Sequence, residues 1–294
     1  MSATLSSDFV FEPKVWKDHI MAYFDRKMIY GALALRDDTL TREPGETVNF
    51  PYFKQIGDAE EPAEDEGLTV DNLSDDSFSA TVKEVGKAVG IKKKAFKKSA
   101  ASEERNVSEI QRQLARVNAE KIDKDLLTEM QLGSSHQAVA ATVATETMSI
   151  RRVWRGKVEG FGDKHEQAMA IQMHSLQLLD LMTDTTQGFL KADATDPMFG
   201  QAGFEGRLAG MAVFTSDTIP QGPDVAGKNT YYAFIHKLDA YGLLMKQDME
   251  LESDKDILAR EWVFTSNQWY AVKSFHAKIN SLDKKTVRLQ TTIS

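Results

Sequence analysis

The stretch Glu46-Thr-Val-Asn-Phe-Pro-Tyr-Phe-Lys-Gln-Ile56 places Val48, Phe50 and Tyr52 on one face by strand alternation. A second stretch, Phe78-Ser-Ala-Thr-Val-Lys-Glu-Val-Gly-Lys-Ala-Val-Gly-Ile91, alternates in the same way. Between them stand Asp58, Glu60, Glu61, Glu64, Asp65 and Glu66, punctuated by Gly57, Pro62 and Gly67. Two alternating arms around such a connection predict a long β-hairpin. A lone two-stranded ribbon is marginal in water, so one this long is expected to lie on another molecule. The pattern points to assembly and away from catalysis.

Downstream of the hairpin the spacing predicts a long helix from Ser102 to Leu132, with Glu103 and Glu104 at its positive end and Gly133 as its stop. Val107, Ile110, Leu114 and Val117 form an apolar stripe that resumes one step out of phase at Ile122, Leu126 and Met130, while Arg105, Arg112, Glu120 and Lys124 occupy the other side. At 1.5 Å per residue this helix is about 45 Å long, a strut for the whole molecule. Asp123 and Asp125 are two residues apart, so they diverge around the helix and make no carboxylate pair.

The whole chain, 294 residues and 32.9 kDa, suffices for one large core or two modest ones. With 41% hydrophobic and 27% charged residues it has the balance of a folded chain. No apolar run approaches the roughly twenty residues of a membrane helix, and the first residues lack the basic-then-apolar pattern of a signal peptide. Cysteine is absent, which removes disulfides, thiolate nucleophiles and cysteine metal sites and fits a reducing cytoplasm. A net charge of -8 argues against a strongly basic grip on nucleic acid. Charge is uneven nonetheless: residues 58 to 66 hold six acids and no base, and residues 83 to 98 hold seven lysines and one acid, Glu84. A solvated loop beside a solvated strand end accounts for this blandly. The sharper reading is an acidic tip that seeks a basic neighbour, with the lysine-rich segment serving another subunit's acids.

Residues 1 to 35 read as an arm, with Trp16, Ile20, Tyr23, Phe24 and Met28 at the spacing of a short amphipathic helix. Residues 138 to 160 read as two further helical pieces. Gln167 to His174 reads as a buried strand, and Ser175 to Met182 as a helix capped by Ser175. Residues 184 to 207 are expected to be loop. Strands are expected at 210–216, 231–236, 244–250 and 259–276, with a helical turn at Leu238 to Gly242 and a break at Glu252 to Asp256. Helices and strands mix without regular alternation, so the fold class is α+β.

No catalytic constellation stands out. His165, Glu166 and His174 lack the two-turn spacing of a zinc protease. Gly200, Gly203 and Gly206 form neither a Walker loop nor a dinucleotide fingerprint. Ser216 and Asp217 have no histidine placed by sequence to complete a triad, so Asp217 is expected to bond backbone amides in the turn before Pro220. Arg151, Arg152 and Arg155 around Trp154 are expected to form ion pairs across an interface in preference to stacking on bases. No cofactor and no metal is expected.

Taken in order, these parts resemble the major capsid proteins of tailed phages, whose lambdoid-phage capsid fold is shared with encapsulins and the herpesvirus capsid floor. Phe53-Lys-Gln-Ile-Gly-Asp-Ala59 and Thr81 to Ile91 resemble the arms of the family's extended loop. Gln113-Leu-Ala-Arg-Val-Asn-Ala-Glu-Lys-Ile-Asp-Lys-Asp-Leu-Leu127 resembles its spine helix. Phe161 to Asp163, the strand to His174, Leu176 to Leu181 and Leu208-Ala-Gly-Met-Ala-Val-Phe-Thr-Ser-Asp217 resemble the axial domain, and residues 248 to 275 the closing strands of the peripheral domain. The likeness covers about residues 20 to 280 and is nearest to podovirus-type coat proteins with a short N-terminal arm. It implies an N-terminal arm over 1–35, an extended loop over 36–98, and a spine helix with the start of the peripheral domain over 99–145. An axial domain over 146–243 and returning peripheral strands over 244–294 complete the division.

The resemblance further implies a shell protein of the virion, assembled in the host bacterial cytoplasm. Its copies would join as pentamers and hexamers around double-stranded DNA that they enclose without specific binding. The implied partners are the chain itself, a portal, a separate scaffolding protein and, as an optional addition, a decoration protein, with no membrane. No long scaffolding segment precedes the arm, and no position carries a clear lysine-asparagine crosslink pattern. The hairpin would lie across the next subunit and bury Phe50 and Tyr52 there. Its acidic tip, Asp58, Glu60, Glu61, Glu64, Asp65 and Glu66, would dock on basic groups of a neighbour, with Arg105, Arg112 and Arg116 as candidates. Two alternatives stay open: an encapsulin-type compartment, and a soluble α+β enzyme with a flexible acidic loop.

Overall fold

The computed structural model describes residues 28–38, 45–53, 56, 59, 61, 68, 70–94, 103–134, 138–139, 146–183, 189–191, 196, 198, 201, 203–225, 227–237, 240–275 and 285–293. The expected amphipathic helix around Trp16 to Phe24 lies outside the described residues.

Among the described residues, three sheets and one long helix organise the chain. The smaller main sheet has the order β1-β12-β13-β4, from β1 (Leu35–Asp37), β12 (Tyr241–Asp256), β13 (Glu261–Ser274) and β4 (Lys83–Lys92). The larger sheet runs β5-β14-β11-β6-β9-β8-β7, with β10 beside β11. Its strands are β5 (Ala138–Val139), β6 (Ala168–Met173), β7 (Phe189–Lys191), β8 (Phe204–Leu208), β9 (Met211–Thr215), β10 (Gln221–Val225), β11 (Lys228–Lys237) and β14 (Thr286–Thr292). A two-stranded ribbon, β2 (Thr47–Phe53) with β3 (Asp75–Thr81), stands apart. The helices are α1 (Glu103–Ser134), α2 (Ile150–Phe161) and α3 (Ser175–Thr183).

Helix α1 joins the two main sheets into one core. Ala115, Ala119, Ile122, Leu126, Leu127 and Met130 pack against Ala170, Phe214 and Phe234 of the larger sheet and against Tyr241, Leu243, Met245 and Tyr270 of the smaller. Nearer its start, Val107, Ile110 and Leu114 cover Phe264, Val89 and Ile91. A second core lies under α2 and α3, where Ile150, Val153, Phe161, Leu178 and Leu181 meet Ile171, Met173, Val213, Ile235, Val287 and Leu289. Helix α2 approaches β14 so closely that a Cβ on Gly156 would stand 2.3 Å from Leu289, and one on Gly160 2.2 Å from Val287. An alanine at either position would force the Leu289 or Val287 side chain to shift.

Several sequence expectations are corrected. The return arm of the hairpin is two strands. Asp75–Thr81 pairs with β2, the Val82 amide closes the ribbon by donating to the Glu46 carbonyl at 2.7 Å, and Lys83–Lys92 crosses to pair with β13. Val117 is 44% exposed; the buried line of α1 instead passes through Asn118. Gly133 lies within the helix, whose described end is Ser134. The first expected helical piece after 138 contains the short strand β5, and the second begins at Ile150. Glu252 to Asp256 is strand, continuing β12 opposite β13. Residues 184–207 include β7 and part of β8, and Tyr241 and Gly242 open β12 where a helical turn was expected. The final strand β14 joins the larger sheet between β11 and β5, so the return to the smaller sheet ends at Ser274.

Candidate inter-subunit surfaces

The hairpin is anchored at its base and uncovered further out. Phe50 and Phe78 face one another across the ribbon, and both rings meet Phe275 edge-on, at 5.0 and 6.2 Å between centroids. Ala80 and Val82 pack with Leu244 and Ala271, and Val48 and Phe50 rest on that cluster. Phe50 therefore already has cover from its own chain. Beyond this base, Phe53 is 69% exposed and Val70 86%, and Ile56, Leu68 and Leu73 are exposed as well. None of the five belongs to a core cluster. The sequence reading passed over Leu68, Val70 and Leu73 because acids and glycines dominate their surroundings; isolated apolar residues in such a segment were the available signal.

Of the six acids expected at the tip, Glu61 lies among the described residues and is exposed; Asp58, Glu60, Glu64, Asp65 and Glu66 lie outside them. Tyr52 is in β2 and Arg105 in α1, with side chains outside the described set. Arg112 and Arg116 are exposed on α1, and each meets a carboxylate of its own helix. The Arg112 guanidinium donates to both oxygens of Glu109 at 3.0 and 2.9 Å, and Arg116 donates to Glu120 at 2.6 Å. Within one chain Arg112 and Arg116 are therefore already engaged by Glu109 and Glu120.

On its inner side α1 carries polar groups that fix it to its neighbours. Asn118 donates to Ser266 Oγ at 2.7 Å, and its carbonyl accepts from Gln268 at 3.4 Å. Asp125 accepts from Lys83 at 2.7 Å, Lys121 at 2.7 Å and Tyr270 at 2.5 Å. Burial alone would raise its pKa, but these three donors outweigh burial and hold it below the ordinary carboxylate range. Asp123, on another face, accepts the Ile29 amide at 2.8 Å and the Gly31 amide at 3.2 Å, tying the segment before β1 to the spine. Burial pushes its pKa up to about 6, against the lowering effect of those amides. The two carboxylates do diverge, and each has a structural task.

The remaining sequence candidates also resolve into structural contacts. Arg152 is buried against Glu146 and donates to the Gln290 carbonyl, and Arg155 pairs with Glu159 one helical turn on. For Arg152 and Arg155 the ion pairs expected across an interface are thus made inside the chain. Trp154 stays exposed, with Lys157 Nζ 5.1 Å from its ring centre. His174, Ser175 and Asp217 do come together, which the sequence reading did not foresee. Ser175 Oγ donates to Asp217 at 2.5 Å, while His174 Nδ1 accepts the Leu176 amide and its carbonyl accepts from Leu178. His174 is therefore the cap of α3, in place of Ser175. A serine bonded to the carboxylate with the imidazole turned to a helix end is not a nucleophile-base arrangement. His165 Nδ1 lies 2.9 Å from the Gly162 carbonyl, and among the described residues no cluster of three or more metal-ligating side chains occurs.

Two further apolar surfaces stand out. At the β12–β13 turn, Leu258 is 97% exposed beside exposed Ile257. Along α3, Leu176, Leu179 and Met182 form an exposed stripe. An arm, a hairpin turn and a helix face, all apolar and uncovered, describe a subunit made to meet copies or partners.

The fold so defined is that of phage capsid shells. It matches the capsid protein of Ralstonia phage GP4 with a TM-score of 0.70 and 13% identity over 92% of this chain and 91% of that one. The cyanophage Pam1 capsid protein matches with a TM-score of 0.68 and 15% identity over 100% and 96%. In sequence, the chain is 24% identical over 258 residues to the major capsid protein of Staphylococcus phage phiMR11, spanning 88% of this chain and 87% of that protein. No protein-family model matches. In fold, and in sequence along most of its length, the chain is similar to phage capsid proteins, among them one named a major capsid protein.

Proposed function

We propose that the chain builds the head shell of a tailed phage and has its place in the virion. Copies join head to tail into pentamers and hexamers, and the closed shell encloses double-stranded DNA. The rings close because each copy presents one surface to the copy before it and a different one to the copy after it. A portal, a separate scaffolding protein and a decoration protein are the partners this role implies. The role is structural, not catalytic.

The observation that carries this reading is the outer half of the hairpin. Phe53, Ile56, Leu68, Val70 and Leu73 are exposed and pack into no core formed by the described residues. Two strands alone are marginal in water, and an arm of this composition gains stability by lying on a neighbour. Electron microscopy of the purified protein is the test. Closed shells or rings of five and six are expected; a dispersion of single subunits at every concentration and salt condition overturns the proposal. Nucleic acid inside shells recovered from an infected host is expected, and a packaged enzyme in its place would show a cargo compartment.

A further inference from the structure

The side of the larger sheet that faces α1 carries two polar side chains in an otherwise apolar layer. Gln172 of β6 stands opposite Phe234 of β11, and His236 stands opposite Ala170, so strand alternation puts the two diagonally on one face. Ala170 and Phe234 pack in the core beneath α1, which fixes that face as the inner one. Tyr241, the first residue of β12, closes the group from the smaller sheet. Its ring lies 5.3 Å from that of His236, and its hydroxyl accepts the Gln172 amide at 3.2 Å. All three residues are 1% exposed. Their hydrogen bonds do not balance. Among the described residues, Gln172 Oε1 and both ring nitrogens of His236 have no partner. The Tyr241 hydroxyl, already accepting from Gln172, finds no acceptor there for its own proton. Buried polar atoms in folded proteins are paired as a rule, and each exception calls for a partner.

We infer that His236, Gln172 and Tyr241 form a binding site for a buried water, which bridges the three where the larger sheet meets the smaller. Donor and acceptor chemistry carries it. A neutral imidazole offers one acceptor nitrogen and one N–H. A water donates two bonds, to that acceptor nitrogen and to Gln172 Oε1, and accepts the Tyr241 hydroxyl proton. Three partners are the usual number for a water held inside a protein. Only one ring nitrogen reaches it, since the two point apart, so the bridge relieves three of the four shortages. Gln172 and His236 are neighbours on one face that make no bond with each other, the circumstance in which a water stands between polar groups. The bridge ties β6 and β11 to the start of β12 beneath α1. Apolar side chains alone would let these strands settle in several ways, whereas a satisfied polar contact fixes one.

A density map of the purified protein, crystallised or assembled, that is fine enough to show ordered water tests the site directly. A peak about 2.8 Å from a His236 ring nitrogen, Gln172 Oε1 and the Tyr241 hydroxyl is expected. No peak, or a Gln172 amide turned over to bond His236 itself, overturns the site. A second measurement needs no map. In urea titrations of the full chain, Gln172→Met and His236→Leu should each raise the unfolding constant about tenfold, because each leaves the other polar side chain with a bridge that has lost an end. The double variant, with both partners apolar, should also show a rise of about tenfold, well short of the roughly hundredfold that independent losses give. Losses that multiply in the double variant overturn the bridge. Where a variant fails to fold, the map of the parent protein decides, and neither measurement depends on whether the chain forms shells.

Discussion

Asp123 and His236 are buried titratable groups that pull the pH dependence of stability in opposite directions. Asp123 sits between α1 and the segment at Ile29 to Gly31, near the Tyr30 and Tyr241 hydroxyls, and its pKa in the fold is about 6 through burial. Since this lies above the unfolded value, its contribution is fully present below about pH 4 and is lost as pH rises through 6. His236, on β11 against the Tyr241 ring at 5.3 Å, has no hydrogen-bond partner for either ring nitrogen among the described residues. Burial pushes its pKa down to about 3. Its contribution is present above the unfolded value and is lost as pH falls through that window. Between about pH 7.5 and pH 5 the two shifts nearly cancel, each amounting to about 1.5 to 2 kcal/mol. Each substitution should therefore unmask the other group. Against the parent chain over this range, Asp123→Asn should become acid-labile and His236→Leu acid-stabilised. Thermal melts of unassembled subunits at both pH values read this directly, and parallel shifts in both variants would mean that neither group is perturbed.

At the scale of the element, α1 shows how a polar residue can hide the phase of a helix. Apolar spacing favours Val117, yet the helix turns Asn118 inward, where it meets Ser266, Gln268 and the Met249 sulfur. Val117→Ala should cost no more than about 0.5 kcal/mol, as surface changes do. Asn118→Ala removes the side-chain bond to Ser266 Oγ and leaves a gap at a buried position, and should cost about 2 kcal/mol. Urea titration of the two variants distinguishes the phases, and a larger loss from Val117→Ala would restore the apolar one. The same contrast explains what could be read in advance. Helix α1, strand β6 and helix α3 were legible because their own residues carry the pattern: Ala168 to Met173 is almost wholly buried, and α1 is long enough for its period to dominate. The division of the return arm at Val82 shows in the sequence only as a change of phase, from Phe78, Ala80 and Val82 to Val85, Val89 and Ile91, and the switch from β2 to β13 is a choice of distant partner. Likewise β14 alternates Val287 and Leu289 inward as any strand would, but nothing local says which sheet it joins. Among the site residues, the acidic tip and the lysines announced themselves by composition. The engagement of Arg112 and Arg116 did not, since it depends on rotamers that bring Glu109 and Glu120 to them.

The whole molecule separates the residues that fold it from those that reach outward. Its cores lie between α1 and the two main sheets, under α2 and α3, and at the base of the ribbon, where Phe275 meets Phe50 and Phe78. Among the described residues, none beyond Phe53 and before Asp75 belongs to these clusters. Folding of the single chain should therefore not depend on this connection, whereas a shell held together by many copies of one contact should. Replacing residues 54–74 with an Asn-Gly turn that joins β2 directly to β3 is expected to leave the melting temperature within about 3 °C, the shift of roughly 1 kcal/mol in a chain of this size, and to abolish shells in electron micrographs. Loss of folding would place the connection inside the core. Intact shells would assign assembly to the Leu258 turn and the α3 stripe instead. The expected result has a physical reason. The described apolar side chains of the connection are largely exposed in the single subunit, so removing them should cost the folded chain little, but it deprives the junctions of a shell of surface that would leave water on assembly.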